Sequence, residues 1–106
     1  MNEQQINKER EEKKVVIYYH VAHYPPSWGG TEYWMVFRGD EELVNIVKTV
    51  AKQFGHWDVI MGLRGEDGRF VFCMKEKAFH EFENLWNEHV VKFEEVDNDT
   101  ITDLAD

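Results

Sequence analysis

Two strand-like runs dominate the first third of the chain and limit what it can become. Residues 15–24 (VVIYYHVAHY) and 31–38 (TEYWMVFR) are rich in β-branched and aromatic side chains, which fit a pleated, half-buried surface. Pro25 and Pro26 end the first run, because proline donates no backbone hydrogen bond and restrains the residue before it. The two runs are expected to pair as a hairpin with a long, stiff tip, Tyr24-Pro25-Pro26-Ser27-Trp28-Gly29-Gly30. Alternation places Thr31, Tyr33, Met35 and Phe37 on one face of the second strand, and Glu32, Trp34, Val36 and Arg38 on the other.

A helix follows. Asp40 is a good N-cap, and Glu41 and Glu42 suit the positive end of the helix dipole. Leu43, Ile46, Val47, Val50, Ala51 and Phe54 recur at helical spacing and form one buried stripe, with Gly55 as a left-handed C-cap. Residues 57–64 and 69–75 read as two more strands around Gly65-Glu66-Asp67-Gly68, where Asp67-Gly68 is a strong hairpin signal. Residues 76–90 read as a second amphipathic helix with Ala78, Phe79, Phe82, Leu85, Trp86 and His89 toward the core. Residues 90–96 make a short last strand.

The order is β-β-α-β-β-α-β. Without its first strand it is βαββαβ, the split pattern of ferredoxin-like two-layer sandwiches. The expected fold class is therefore α+β, with a mainly antiparallel sheet and two helices on one face. Residues 15–97 make a single domain. Residues 1–14 form a charged tail or frayed helix, and residues 98–106 an acidic tail with too little apolar matter to pack alone. The second sheet face is expected to be open, or covered by a partner such as a second copy of the chain.

With 106 residues there is room for one ordinary domain. No apolar run approaches the roughly 20 residues of a membrane span, and the polar first 14 residues do not read as a secretory signal, so the expected location is cytoplasmic. One cysteine, Cys73, forms neither an internal disulfide nor a cysteine-rich zinc cluster. The formal charge of -9 argues against direct binding to nucleic acid or to an anionic membrane. That charge is lopsided. Residues 1–53 carry 8 acids and 7 bases, whereas residues 76–106 carry 10 acids against Lys77 and Lys92 alone.

The other constellations are weak. His20 and His23 point to opposite faces of a strand, His56 reads as a turn residue, and His80 and His89 lie more than two helical turns apart. No histidine pair has zinc-motif spacing, so no metal or other cofactor is expected. Cys73 reads as a buried, inert thiol, Ser27 has no histidine at a fixed spacing, and the glycines do not match a phosphate loop. No catalytic residue is assigned.

Two surfaces remain. The first is acidic: Glu81, Glu83, Glu88, Glu94, Glu95, Asp97 and Asp99. The second is the aromatic loop with Tyr24 and Trp28, together with Trp34, since Trp and Tyr are enriched at interface hot spots. The expected function is non-enzymatic: an acidic interaction protein that binds a basic, nucleic-acid-binding partner by imitating the phosphate charge of a duplex. In size and charge the chain resembles virus-encoded acidic inhibitors of host defence complexes and nucleases. The alternative is a small-ligand domain or cofactorless enzyme on a dimeric ferredoxin-like sheet, with Tyr18, His20, Trp34, His56 and Trp57 around a pocket.

Overall fold

A computed structural model describes residues 13–60 and 68–105. Of the expected tail over residues 1–14, residues 1–12 lie outside the described residues, as do residues 61–64 of the expected third strand and most of the turn over residues 65–68. The first two strands, β1 (Val15–His23) and β2 (Thr31–Gly39), pair antiparallel over nine residues each, from Val15 opposite Gly39 to His23 opposite Thr31. The connecting tip carries a single 3-10 turn, Pro26–Trp28, and Gly29 and Gly30 follow it with φ of 107° and 77°. Proline at the start of that turn and left-handed glycines at its end close the loop without steric penalty.

Helix α1 (Glu41–Ala51) begins as expected: the Asp40 side chain accepts from the Leu43 backbone N–H at 2.9 Å. It ends at Ala51, so Gly55 is not its left-handed C-cap. Gly55 instead opens β3 (Gly55–Ile60), which pairs antiparallel with β4 (Arg69–Lys75). Helix α2 (Glu76–Glu83) is half the expected length. Beyond its Asn84 C-cap the chain turns instead: the Asn87 side chain accepts from the His89 N–H at 2.8 Å, while its carbonyl accepts from Val90 and Val91. An asparagine that offers the backbone such local partners competes with the helix. Leu85 and His89 are consequently exposed rather than in the core.

Strand β5 (Val91–Glu95) completes a five-stranded sheet in the order β3-β4-β2-β1-β5. The sheet is mixed, because β5 runs parallel to β1. This corrects the ferredoxin-like expectation. In that fold the last strand would pair with β2, but the hairpin partner β1 already fills that edge along its whole length. β5 therefore takes the free edge of β1. The crossover through α2 runs it parallel to β4, and β4 and β1 are both antiparallel to β2. The fold is α+β, with three α-helices of seven to eleven residues among the described residues.

The third helix is the larger surprise. Residues 98–106 were expected to be a tail, yet Asn98–Leu104 form α3 on the second sheet face. Ile101 is fully buried there against Val36, Val71 and Cys73. The Arg38 guanidinium donates to the Leu104 carbonyl, and Arg69 Nη1 donates to the Thr102 carbonyl at 2.8 Å. Two cations thus serve the negative end of this helix. The face expected to be open or dimeric is partly covered by the chain itself.

The main core lies on the opposite face. There Ile17, Met35, Phe37, Phe72 and Met74 meet Val47 and Ala51 of α1 and Phe79 and Phe82 of α2. The alternation expected for β2 holds, with Met35 and Phe37 facing this core and Val36 facing α3. Among the described residues, no helix is long and apolar enough to cross a membrane.

Candidate functional site

The seven acidic residues divide across the exposed edge strand β5. On the α2 side, Glu95 stands opposite Tyr19 in the β1–β5 ladder, and Glu83 closes α2. Burial raises the Tyr19 hydroxyl above its ordinary pKa, with Glu95 and then Glu83 adding to the effect. Tyr33 is also raised, by burial and then by Glu76, Glu83 and Glu95. Carboxylates from a helix and a strand therefore converge on one pair of phenols, whose rings are 6.0 Å apart. Tyr33 stacks on Phe79 at 4.1 Å, and its hydroxyl lies 3.5 Å from His80 Nε2. His80 Nδ1 lies 3.4 Å from Glu83. Glu88 shares a shallow groove with Glu83, Trp86 and Lys92, and Glu81 is exposed on α2.

On the α3 side, Glu94 stands opposite Tyr18, Asp97 caps α3, and Asp99 lies in its first turn. Both Glu94 and Glu95 are exposed, so neither points into the core. Among the described residues, ion pairs within 4.0 Å are Lys75–Glu32 and His80–Glu83. Among the described residues, only Glu83 of the seven acids has such a partner, and that partner is a histidine.

Asp97 has a second role. Its carboxylate accepts from the Thr100 N–H at 2.8 Å, and the hydrogen bonds from Thr100 hold its pKa below the ordinary aspartate value. A lowered folded pKa stabilises the fold above the unfolded value near 3.9, and that contribution is lost as pH falls through the folded value. Amide-exchange protection of α3 should therefore weaken as the pH drops below about 4. Asp97→Asn keeps a capping acceptor but does not titrate, so its protection should change less over the same range.

The aromatic loop is held from below and exposed above. Lys75 Nζ donates to the Gly29 carbonyl at 2.8 Å and to Glu32 at 3.0 Å. Trp28 is 73% exposed, so it is not folded onto the core as a lid. Trp28→Ala should leave the unfolding free energy within about 0.5 kcal/mol of the parent in denaturant titration. Tyr24 and Trp34 lie 6.3 Å apart, ring to ring, on the α3 side of the sheet.

No protein-family model, curated protein or solved structure matches the chain.

The expected pocket residues of a ligand-binding domain do not all meet. His20 and Trp34 are direct partners with rings 6.0 Å apart, and Trp34 is also opposite Cys73, which is opposite His56. Trp57 faces the other way, edge-on to Phe72 at 5.0 Å. Tyr18 and Trp34 are packed against the cluster that α3 completes, where a pocket would otherwise open. Sequence reasoning missed the Tyr19–Tyr33 pair. Alternation alone puts each on the helix-covered face, but only the hairpin register makes them neighbours.

Proposed function

We propose that this is a non-catalytic acidic interaction protein whose β5 edge docks on a basic surface of a nucleic-acid-binding protein, in the manner of a duplex mimic. The supporting observation is that Glu83, Glu88, Glu94, Glu95, Asp97 and Asp99 flank one exposed strand edge, with no lysine or arginine of the described residues in an ion pair with them. Charge left unpaired over a whole edge repels itself and weakens the compact state, and a cationic partner relieves that repulsion. The Tyr19 and Tyr33 rings beside Glu83 and Glu95 add faces on which an arginine or lysine can rest. Charge along an edge strand also discourages self-pairing, so the edge is kept for a partner of opposite sign.

The deciding measurement is competition between this chain and duplex DNA for a purified basic DNA-binding protein, together with capture from the source cell at low salt. The reading expects basic nucleic-acid-binding proteins to elute on raising salt, and duplex DNA to displace the chain. The exposed triple variant Glu88→Lys, Glu94→Lys, Glu95→Lys should bind at least 10-fold more weakly while keeping its circular dichroism. Capture that is insensitive to salt and to this variant overturns the reading.

A further inference from the structure

Three neighbouring strands bring four potential metal ligands to the second sheet face, away from the acidic edge. β2 supplies Glu32, β3 supplies His56 and Asp58, and β4 supplies Cys73. A carboxylate oxygen of Glu32, a carboxylate oxygen of Asp58 and the Cys73 sulfur all lie within 4.8 Å of one another. The Cys73 Sγ is 3.8 Å from Asp58 Oδ2. His56 is the direct antiparallel partner of Cys73. Directly opposite residues place their Cβ atoms about 4.5–5.5 Å apart on the same face. His56, Cys73 and Glu32 also line one small cavity of about 120 Å³. None of this is visible in sequence spacing, because the set is assembled by register across three strands.

The surroundings favour a cation. Cys73 is only 1% exposed, with its sulfur turned toward the carboxylates. Among the described residues the nearby positive group is Lys75, which is already engaged by Glu32 and the Gly29 carbonyl. A bound metal ion would take the place of the thiol proton, which leaves to solvent.

We propose that Cys73, Asp58 and Glu32, joined by His56 from the strand position facing Cys73, bind one divalent ion of the zinc class. Thiolate and imidazole beside carboxylate is a borderline-soft donor set that suits zinc over calcium or magnesium. Zinc bonds of about 2.0–2.3 Å in a tetrahedron place donor atoms about 3.3–3.8 Å apart, so the Glu32, Asp58 and Cys73 atoms must close in by about 1 Å and the His56 ring must rotate toward them. Asp58 and His56 are exposed and can make that adjustment by rotation. Glu32 is steadied by the Trp34 Nε1 donor at 3.3 Å and by Lys75, the kind of support that orients metal ligands.

Cobalt(II) titrated into the full chain tests this, because Cys73 is the one cysteine and a thiolate-to-cobalt charge-transfer band reports it alone. The expected result is a band that saturates at one equivalent and is displaced by zinc. Cys73→Ser should abolish the band. Asp58→Asn and His56→Ala, both at exposed positions, should each weaken cobalt binding at least 10-fold while the fold persists by circular dichroism. The proposal is overturned if the full chain at saturating cobalt gives no charge-transfer band. It is equally overturned if the band appears with unchanged affinity in both exposed variants.

Discussion

Replacing Ile101 by alanine is expected to destabilise the protein by about 2–5 kcal/mol, the usual range for truncating a buried isoleucine. Ile101 is 0% exposed, although the segment around it is acidic and short. α3 has seven residues, well below the roughly 12–15 that an isolated helix needs to persist in water. Its stability therefore comes from docking, and Ile101 is the residue that docks fully. The two arginine bonds to Thr102 and Leu104 depend on that placement. For a domain of this size 1 kcal/mol moves the melting temperature by about 4–8 °C, so a fall of about 10 °C or more is expected. Amide protection over residues 98–105 should be lost before that of the sheet. Leu104→Ala, at a half-buried position, should have a smaller effect. An unchanged melting temperature in Ile101→Ala would mean that α3 does not cover the second face in solution.

The same helix shows where the sequence misleads. DNDTITDLAD has only Ile101, Leu104 and Ala105 to bury, and composition alone gives that segment no reason to fold. The reason lies elsewhere in the chain. Val36, Val71 and Cys73 point away from the main core and need a cover, and Arg38 and Arg69 stand ready for helix carbonyls. By contrast, the β1–β2 hairpin and the start of α1 were legible, because alternation, the Pro-Pro break and the Asp40 cap are local signals. Sheet order was not local. Recognising βαββαβ treats β1 as an addition, whereas its pairing with β2 over nine positions makes it central and sends β5 to its outer edge.

The candidate sites follow the same rule. Net charge located Glu83 and Glu95, since composition survives folding. It did not reveal that they share Tyr19 and Tyr33, which depends on a register fourteen residues long in sequence separation. The sequence places His56 in a turn, because the strand pattern there starts at Trp57. The actual start at Gly55 puts His56 opposite Cys73, seventeen residues later in the chain. Motif spacing carries no trace of such a pair.

That early start of β3 depends on Gly55, and Gly55→Ala is expected to destabilise the protein by about 3 kcal/mol, the upper end for inserting a methyl group into a packed site. A Cβ there would sit 2.0 Å from the Cys73 carbonyl oxygen, 2.7 Å from Met74 Cγ and 2.9 Å from Phe72 Cε1. The first of these is backbone and cannot turn aside. Phe72 and Met74 are buried, so they have little room to yield. β3 must then move off β4, and since β3 is an edge strand, its other side offers no replacement ladder. Gly30→Ala separates this packing effect from backbone strain. Gly30 has a φ of 77° but nothing within 4 Å of a new Cβ, so its penalty should stay near the 1–2 kcal/mol of a left-handed residue. Denaturant midpoints of the two variants, with amide exchange across residues 55–60, make the comparison. If Gly55→Ala is no worse than Gly30→Ala and keeps β3 protected, the close approach of the two backbones is wrong, and with it the register that sets His56 against Cys73.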